Sequence, residues 1–152
     1  MHSEHRNPSA AHRLRPSAVV VVSVGGAVGA LARYGISEWS PSAEPGFPWA
    51  TFWINVSGCA LIGALLVLID EVHAAPHSLW RLALATGVLG GYTTFSTYSV
   101  ETMQLLRGGH IAVGIGYAIA TVTTALAVLS LAELLARRIA TGERQGGTRL
   151  GR

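Results

Sequence analysis

Four long apolar stretches alternate with short polar gaps along this chain. They run from about Ser17 to Ile36, Trp49 to Ile69, Leu79 to Leu106 and Ile111 to Ala136. Each can cross a hydrocarbon core, which takes about 20 residues of helix. Because lipid offers no partner to backbone N–H and C=O groups, each stretch is predicted to be helical. The pattern therefore predicts an all-α membrane protein with four transmembrane helices.

Polar segments separate and flank these stretches. The first gap, "SEWSPSAEPGFP", contains three prolines, "DEVHAAPHS" follows the second stretch, and "RGGH" makes a tight turn before the fourth. Residues 1–16 and 137–152 are predicted to be disordered cytoplasmic tails around one domain, residues 17–136. Residues 1–32 have some features of a signal peptide, but the apolar run continues beyond the cleavage site that this interpretation needs.

The composition supports membrane insertion. Half of the 152 residues are hydrophobic and 12% are charged, which is about half of the charged fraction of a soluble domain. All basic side chains other than histidine are arginines, and they cluster beside the apolar stretches, so nucleic-acid binding is not expected. Cys59 is the only cysteine, which excludes a disulfide or a zinc framework built from this chain alone.

The arginines are distributed unevenly between the two sides of the predicted bundle. Nine of the eleven lie in the two tails and the second gap, whereas Arg107 is the only one in a gap on the other side and Arg33 lies within a stretch. Positively charged residues favour the cytoplasmic side of a membrane. We therefore expect a multi-pass protein of the cell membrane with both termini in the cytoplasm.

The first two stretches carry small and polar residues in register. Gly25 and Gly29 form a small-xxx-small pair, which is typical of close helix packing. Arg33 lies near a helix end, where its side chain can extend to the interface or attract anions. Asn55 needs a partner in apolar surroundings, and Thr51 lies one turn earlier on the same face. This pair predicts either hydrogen bonds between helices or donors to a bound solute.

The third stretch contains "GGYTTFSTYS". Phe95 and Tyr98 share a helix face, which indicates either core packing or ring edges, which are electropositive, presented to an anion. Gly90 and Gly91 are predicted to open the helix and free carbonyl groups, as in the broken helices of membrane ion sites. Glu101 is predicted to reach the membrane interface.

The fourth stretch has threonines one turn after Tyr117, namely Thr121, Thr123 and Thr124. Threonines in membrane helices often bond their own backbone. The alternative is that they continue a polar face started by the third stretch.

Taken together, these motifs resemble the CrcB/Fluc family of fluoride channels. "GGAVGALARYG" is similar to the family's first-helix signature, and "FPWATFWINVSG" resembles the second-helix pattern. "GVLGGYTTFSTYSVET" is similar to its most diagnostic segment, which holds a broken helix and an aromatic box. The resemblance covers three of the four stretches in order, while the fourth and the tails match only in character.

The resemblance implies a fluoride-selective channel, not an enzyme, that lowers cytoplasmic fluoride by passive export. It implies an antiparallel dimer in membrane lipid, with pores at the subunit interface and a third helix broken near Gly90–Thr94. A structural Na⁺ at the dimer centre would be held by the backbone carbonyls of Gly90 and Thr93. The implied fluoride pathway comprises Asn55, Phe95, Tyr98, Thr51, Ser96, Thr97 and Arg33. Thr121 is added as the polar position of the fourth stretch, where no motif anchors it. Tyr98 departs from the family, in which many members have phenylalanine there.

Two rival functions and one question of assembly remain open at this point. A small multidrug exporter would need a carboxylate deep in a span, but Asp70, Glu71 and Glu101 are predicted at span ends. A non-conducting partner subunit would need only the glycine pairs. An antiparallel homodimer requires insertion in both orientations, and the arginine bias instead favours a heterodimer with a homologous subunit of opposite topology.

Overall fold

The computed structural model of the chain describes residues 16–39, 46–72 and 79–149. The predicted disorder of residues 1–15 and 150–152 falls outside these ranges. All regular secondary structure in the described part is helical and none of it is strand, which confirms the all-α class. Its elements are α1 (Pro16–Trp39), α2 (Trp49–Val72), α3 (Leu79–Arg81), a π-helical segment (Leu82–Leu89), α4 (Gly90–Tyr92), α5 (Phe95–Arg107) and α6 (Ile111–Arg149).

Three of the four predicted crossings are continuous helices in the described residues. Pro16–Trp39, Trp49–Ile69 and Ile111–Ala140 are each long and apolar enough to span a membrane. Pro16 begins α1, a position where proline is favoured because its missing N–H would have no helical partner. The remaining stretch is divided among α3, the π-helical segment, α4 and α5.

The last helix is longer than the sequence predicts. α6 continues to Arg149, so residues 137–149, which were predicted to belong to a disordered tail, are helical. The 39 residues of α6 measure about 58 Å at the rise of an α-helix, roughly twice the thickness of the hydrocarbon core. Glu133 and Arg137 form an i,i+4 ion pair at 2.9 Å, which favours continuation of the helix beyond its apolar part.

The third stretch is interrupted at Thr93 and Thr94. Both have extended backbones, with φ −75° and ψ 156° at Thr93 and φ −147° and ψ 122° at Thr94. Gly90, in contrast, is helical, with φ −65° and ψ −33°. The break therefore lies in the predicted region, but it follows the two glycines instead of occurring at them.

Glycines bring α1 close to the interrupted stretch. A Cβ atom added to Gly29 would collide with backbone atoms of Val88 and Tyr92, and one added to Gly91 would collide with the backbone of Gly26. The small-residue pattern thus mediates close helix packing, as the sequence predicts. Gly91 packs against the backbone of α1 at Gly26, and this contact holds the helical turn that precedes the break in place.

A second packing region joins α2, α5 and α6. Its buried core consists of Phe52, Val56, Leu105 and Tyr117. The turn between α5 and α6 is closed by the N–H of His110, which donates to the Leu105 carbonyl at 2.9 Å. Gly109 in this turn has φ +81°, a conformation that glycine adopts without strain.

Many large apolar side chains lie on the outside of the chain. Phe95 is 78% exposed, Leu31 70%, Ile139 66% and Ile119 60%. For a membrane protein, such surface is satisfied by lipid or by another subunit.

Candidate functional site

Asn55 connects α2 to the break. Its Nδ2 donates to the Thr94 carbonyl at 3.0 Å, and its Oδ1 accepts from the Thr94 N–H at 2.9 Å. Both polar groups of the amide therefore bond the backbone of Thr94, whose N–H would otherwise lack a partner at the break. The predicted hydrogen bonding between helices is confirmed. The side-chain amide of Asn55 has two N–H groups, and these two bonds use only one of them.

Thr94 caps the helix that follows the break. Its Oγ1 accepts from the Thr97 N–H at 3.1 Å and donates to the Thr97 Oγ1 at 3.0 Å. Ser96 Oγ lies 3.3 Å from the same hydroxyl. This is the usual N-cap arrangement, and it gathers Ser96 and Thr97, two predicted pathway residues, into a network within the first turn of α5.

The break removes the helical partners of several carbonyls, among them those of Gly90 and Thr93. In a continuous α-helix the Gly90 carbonyl would accept from the Thr94 N–H, and the Thr93 carbonyl from the Thr97 N–H. Here Asn55 takes the first N–H and the Thr94 hydroxyl takes the second. Gly90 is exposed, with open space where a Cβ would stand. The two carbonyls predicted to bind sodium are thus among those that lose their amide partners at the break.

The aromatic pair lies just after the break. The ring centroids of Phe95 and Tyr98 are 5.6 Å apart with an interplanar angle of 41°. The Tyr98 hydroxyl donates to the Ala118 carbonyl of α6 at 3.1 Å. The hydroxyl that distinguishes Tyr98 from phenylalanine is therefore used to hold α5 against α6.

A carboxylate lies among the helices near this pair. Thr51 Oγ1 donates to Glu101 Oε1 at 2.8 Å, and the Tyr117 hydroxyl donates to Glu101 Oε2 at 2.7 Å. Thr51 is 2% exposed and Tyr117 is fully buried. Two buried hydroxyls turn the Glu101 carboxylate toward the neighbouring helices, while its position relative to the membrane interface stays a prediction. Thr51 is accordingly paired with a carboxylate.

Arg33 approaches the break from the side of α1. Its Nε donates to the Gly91 carbonyl at 3.3 Å. Arg33 is half-buried, and its guanidinium bonds α4 just before the break. This position places a positive charge beside the freed carbonyl region.

A cleft of about 260 Å³ opens where α2, the break and α6 meet. Its polar lining comes from Asn55, Thr93, Thr94, Tyr98 and Thr121, and its apolar lining from Phe95, Cys59, Ile62, Val122, Ala125 and Leu126. Of the predicted pathway residues, Asn55, Phe95, Tyr98 and Thr121 line this cleft. Thr51, Ser96, Thr97 and Arg33 lie outside its lining.

Thr121 differs from the other hydroxyls of the cleft. Its Oγ1 is buried without a hydrogen-bond partner among the residues that the structure describes, and the residue is 3% exposed. An unmade hydrogen bond at a buried polar group costs about 1–3 kcal/mol. Thr123, by contrast, bonds the Ile119 carbonyl of its own helix. Thr121 therefore carries a buried hydroxyl with unused hydrogen-bonding capacity at the wall of the cleft.

Sequence reasoning missed Thr94 and the inward position of Glu101. The signal for Thr94 is a threonine directly before a helical run, since threonine is a preferred N-cap residue. No comparable signal exists for Glu101, because its inward position depends on the crossing of three helices.

Comparisons with known proteins cover the whole site. A family model described as CrcB-like protein, Camphor Resistance (CrcB), matches residues 20–132. The fluoride-specific ion channel FluC 1 of Streptomyces coelicolor is 47% identical over 127 residues, covering 84% of this chain and 82% of its own. FluC 2 of Nocardia farcinica, also a fluoride-specific ion channel, is 44% identical over 130 residues, covering 86% and 92%. FluC of Thermus thermophilus is 46% identical over 100 residues, covering 65% and 77%.

Proposed function

The chain belongs to the CrcB-like family, and on this premise we propose that it is a fluoride-specific ion channel and not an enzyme. Relatives that match most of its length carry that name. The observation that supports the function best is the cleft at the break, because it combines the unpaired Thr121 hydroxyl with the Asn55 amide and two aromatic rings. These are the neutral donors that a small anion can exchange for its hydration water.

The chemistry of the cleft suits conduction. A filter must bind its ion strongly enough to admit it and weakly enough to release it. Hydroxyl and amide N–H groups and the electropositive edges of aromatic rings attract an anion without the strong binding of a full positive charge. Phe95 supplies such a ring, and its 78% exposure leaves it free to contact an ion or another subunit.

Passive export through such a pore lowers the cytoplasmic fluoride concentration. Neutral HF crosses membranes and dissociates in the less acidic cytoplasm, where the anion is trapped. A selective pore lets the anion leave down its electrochemical gradient, so no energy-coupling site is required. The protein is a multi-pass membrane protein, and we propose that α3 to α5 together form the fourth crossing.

The pores form, in this proposal, between two antiparallel subunits in the lipid bilayer. The cleft is open on one side and carries the exposed Phe95, so a second subunit is needed to enclose an ion there. Glu101, Thr51 and Tyr117 lie next to the pathway because Tyr117 contacts Tyr98, with ring centroids 5.4 Å apart. Arg33 contributes by positive potential near the break.

The carbonyls of Gly90 and Thr93 fit a structural sodium ion at the centre of the dimer. Each has lost its amide partner, and carbonyls of unwound membrane helices are known ligands of Na⁺. When bound, the ion would supply a fixed positive charge that offsets part of the cost of bringing an anion into the membrane. The residues of this chain hold the carbonyls in place and keep their N–H partners occupied.

The distribution of arginines favours a fixed orientation with both termini in the cytoplasm. The partner subunit would then be a homologue of opposite topology, whereas a homodimer requires insertion in both orientations. The orientation is measured in intact cells from the accessibility of a tag on either terminus, either a cysteine labelled by a membrane-impermeant reagent or a protease site. Equal accessibility of the tag from both sides would contradict a fixed orientation.

The family assignment argues against a carboxylate-dependent exporter. The structure by itself does not, because the Glu101 carboxylate lies among the helices. Fluoride efflux from proteoliposomes separates the possibilities. The channel should release fluoride without a proton gradient, alone or with its homologous partner, and Phe95→Ile should abolish release while the protein remains folded. Efflux that requires an opposing proton gradient indicates an exporter, and no efflux with any partner indicates a non-conducting subunit.

A further inference from the structure

On the basis of the sodium site proposed above, we propose that Thr94 is a positioning residue that keeps the cation-binding carbonyls free of hydrogen bonds. It does so without being a ligand itself. The structural basis is the fate of two backbone N–H groups at the break, those of Thr94 and Thr97. Both are taken by side chains, and both would otherwise occupy a carbonyl assigned to the cation.

The Thr97 N–H is the more informative of the two. It donates to the Thr94 hydroxyl at 3.1 Å, whereas one more helical residue at the start of α5 would direct it to the Thr93 carbonyl. The cap therefore sets where α5 begins. Without the hydroxyl, the N–H would be left unsatisfied in a membrane interior, and the Thr93 carbonyl is the helical acceptor available to it.

The Thr94 N–H acts in the same way on the other side of the break. It donates to Asn55 Oδ1 at 2.9 Å instead of to the Gly90 carbonyl. Thr94 is 9% exposed, so water does not compete readily for either bond. One residue thus diverts two N–H groups from the two carbonyls, one through its own hydroxyl and one with the help of Asn55.

This arrangement also links the cation site to the anion pathway. Asn55 lines the cleft and at the same time holds the Thr94 N–H away from Gly90. A change in the hydrogen bonding of Asn55 would therefore alter the sodium site as well as the pathway. The sodium affinity should depend on Thr94 and Asn55, although neither provides a ligand atom.

The test compares the sodium dependence of matched threonine variants in the full-length assembled protein. Thr94→Val removes the hydroxyl at nearly constant shape, Thr94→Ser retains it, and Thr102→Val is the control. Thr102 lies in the same helix and its Oγ1 bonds the Tyr98 carbonyl at 2.8 Å, far from the carbonyls in question. The thermal unfolding midpoint is measured against NaCl concentration, with choline chloride holding the ionic strength constant, and ²²Na⁺ binding is measured on the folded fraction after size exclusion.

We expect wild type, Thr94→Ser and Thr102→Val to reach half-maximal sodium stabilisation at similar concentrations. Thr94→Val should need a concentration roughly 10- to 100-fold higher, as for loss of a residue that orients metal ligands. If Thr94→Val does not fold, Thr94→Ala takes its place with the same expectation. Equal ²²Na⁺ affinity in wild type and the hydroxyl-free variant would overturn the positioning role.

The experiment also separates this role from the function on which it depends. If wild type transports fluoride but shows no sodium dependence, the sodium site and the role of Thr94 are both wrong while the channel function stands. If wild type depends on sodium and Thr94→Val does so equally, only the role of Thr94 is wrong. If Thr102→Val weakened the sodium affinity as much as Thr94→Val does, the role of Thr94 would also be contradicted, because loss of any hydroxyl in this helix would then have the same effect.

Discussion

Replacing Gly29 with alanine should destabilise the bundle and displace the break. The added Cβ would collide with backbone atoms of Val88 and with the amide nitrogen of Tyr92, one residue before the interruption. Backbone atoms cannot rotate away as a flexible side chain can, so the helices would have to separate. Gly35, in the same helix, provides the matched control, because nothing lies within 4 Å of its added Cβ.

The magnitudes follow from two opposing terms. Alanine is favoured over glycine in a helix by about 1 kcal/mol, and overpacking costs about 1–3 kcal/mol. Because several backbone atoms are involved, the upper end of that range applies to Gly29→Ala, which leaves a net loss of about 2 kcal/mol. Gly35→Ala should gain up to about 1 kcal/mol. The two variants should thus differ by about 3 kcal/mol, more than a hundredfold in the unfolding equilibrium.

Unfolding by titration with sodium dodecyl sulfate in mixed micelles, followed by circular dichroism, measures this difference. Fluoride efflux from vesicles reports the second consequence, since displacement of Tyr92 would move the cleft lining at Thr93 and Thr94. Gly29→Ala should lose efflux and Gly35→Ala should retain it. If Gly29→Ala resists the detergent as well as Gly35→Ala does, close packing of α1 on the interrupted stretch is not what positions the break.

Three further substitutions test single contacts. Tyr117→Phe removes a donor from the Glu101 carboxylate and should cost about 1.5–3 kcal/mol of stability if the carboxylate is ionised; an unchanged unfolding midpoint in the same detergent titration would contradict that bond. Tyr98→Phe should retain fluoride efflux and lose about 1 kcal/mol of stability, because the hydroxyl holds Ala118; loss of efflux at normal stability would place the hydroxyl in the pathway. Thr121→Val should stabilise the protein, since it removes an unpaired buried hydroxyl, while reducing fluoride efflux; unaltered efflux would exclude Thr121 from the pathway.

The sequence was sufficient for the class of fold and for the location of the break, because both follow from local patterns. Apolar length predicts the crossings, and the glycine pair indicated the region of the interruption, although the break follows the glycines. It was not sufficient for the exact backbone of the break, since whether Gly91 is helical depends on its contact with Gly26 in another helix. The extension of α6 was also missed, because polar composition alone does not distinguish an exposed helix from a disordered tail.

Four of the residues that the sequence singled out meet in the structure, while their role in a fluoride pathway stays a prediction. Asn55, Phe95, Tyr98 and Thr121 line one cleft in the structure, and among the described residues Thr121 has a buried hydroxyl without a partner. The sequence could not show that the Asn55 amide holds Thr94, or that Glu101 turns inward. Both depend on distances between helices far apart in the chain, which spacing within one helix does not determine.

Anion selectivity tests most directly whether neutral donors and ring edges at the interrupted helix select fluoride. Vesicles containing the assembled protein are loaded with equal concentrations of fluoride and chloride, and the initial efflux of each ion is measured with ion-selective electrodes after addition of a potassium ionophore. The cleft described here predicts rapid fluoride efflux with chloride efflux no faster than from protein-free vesicles. Chloride efflux as fast as that of fluoride would contradict it.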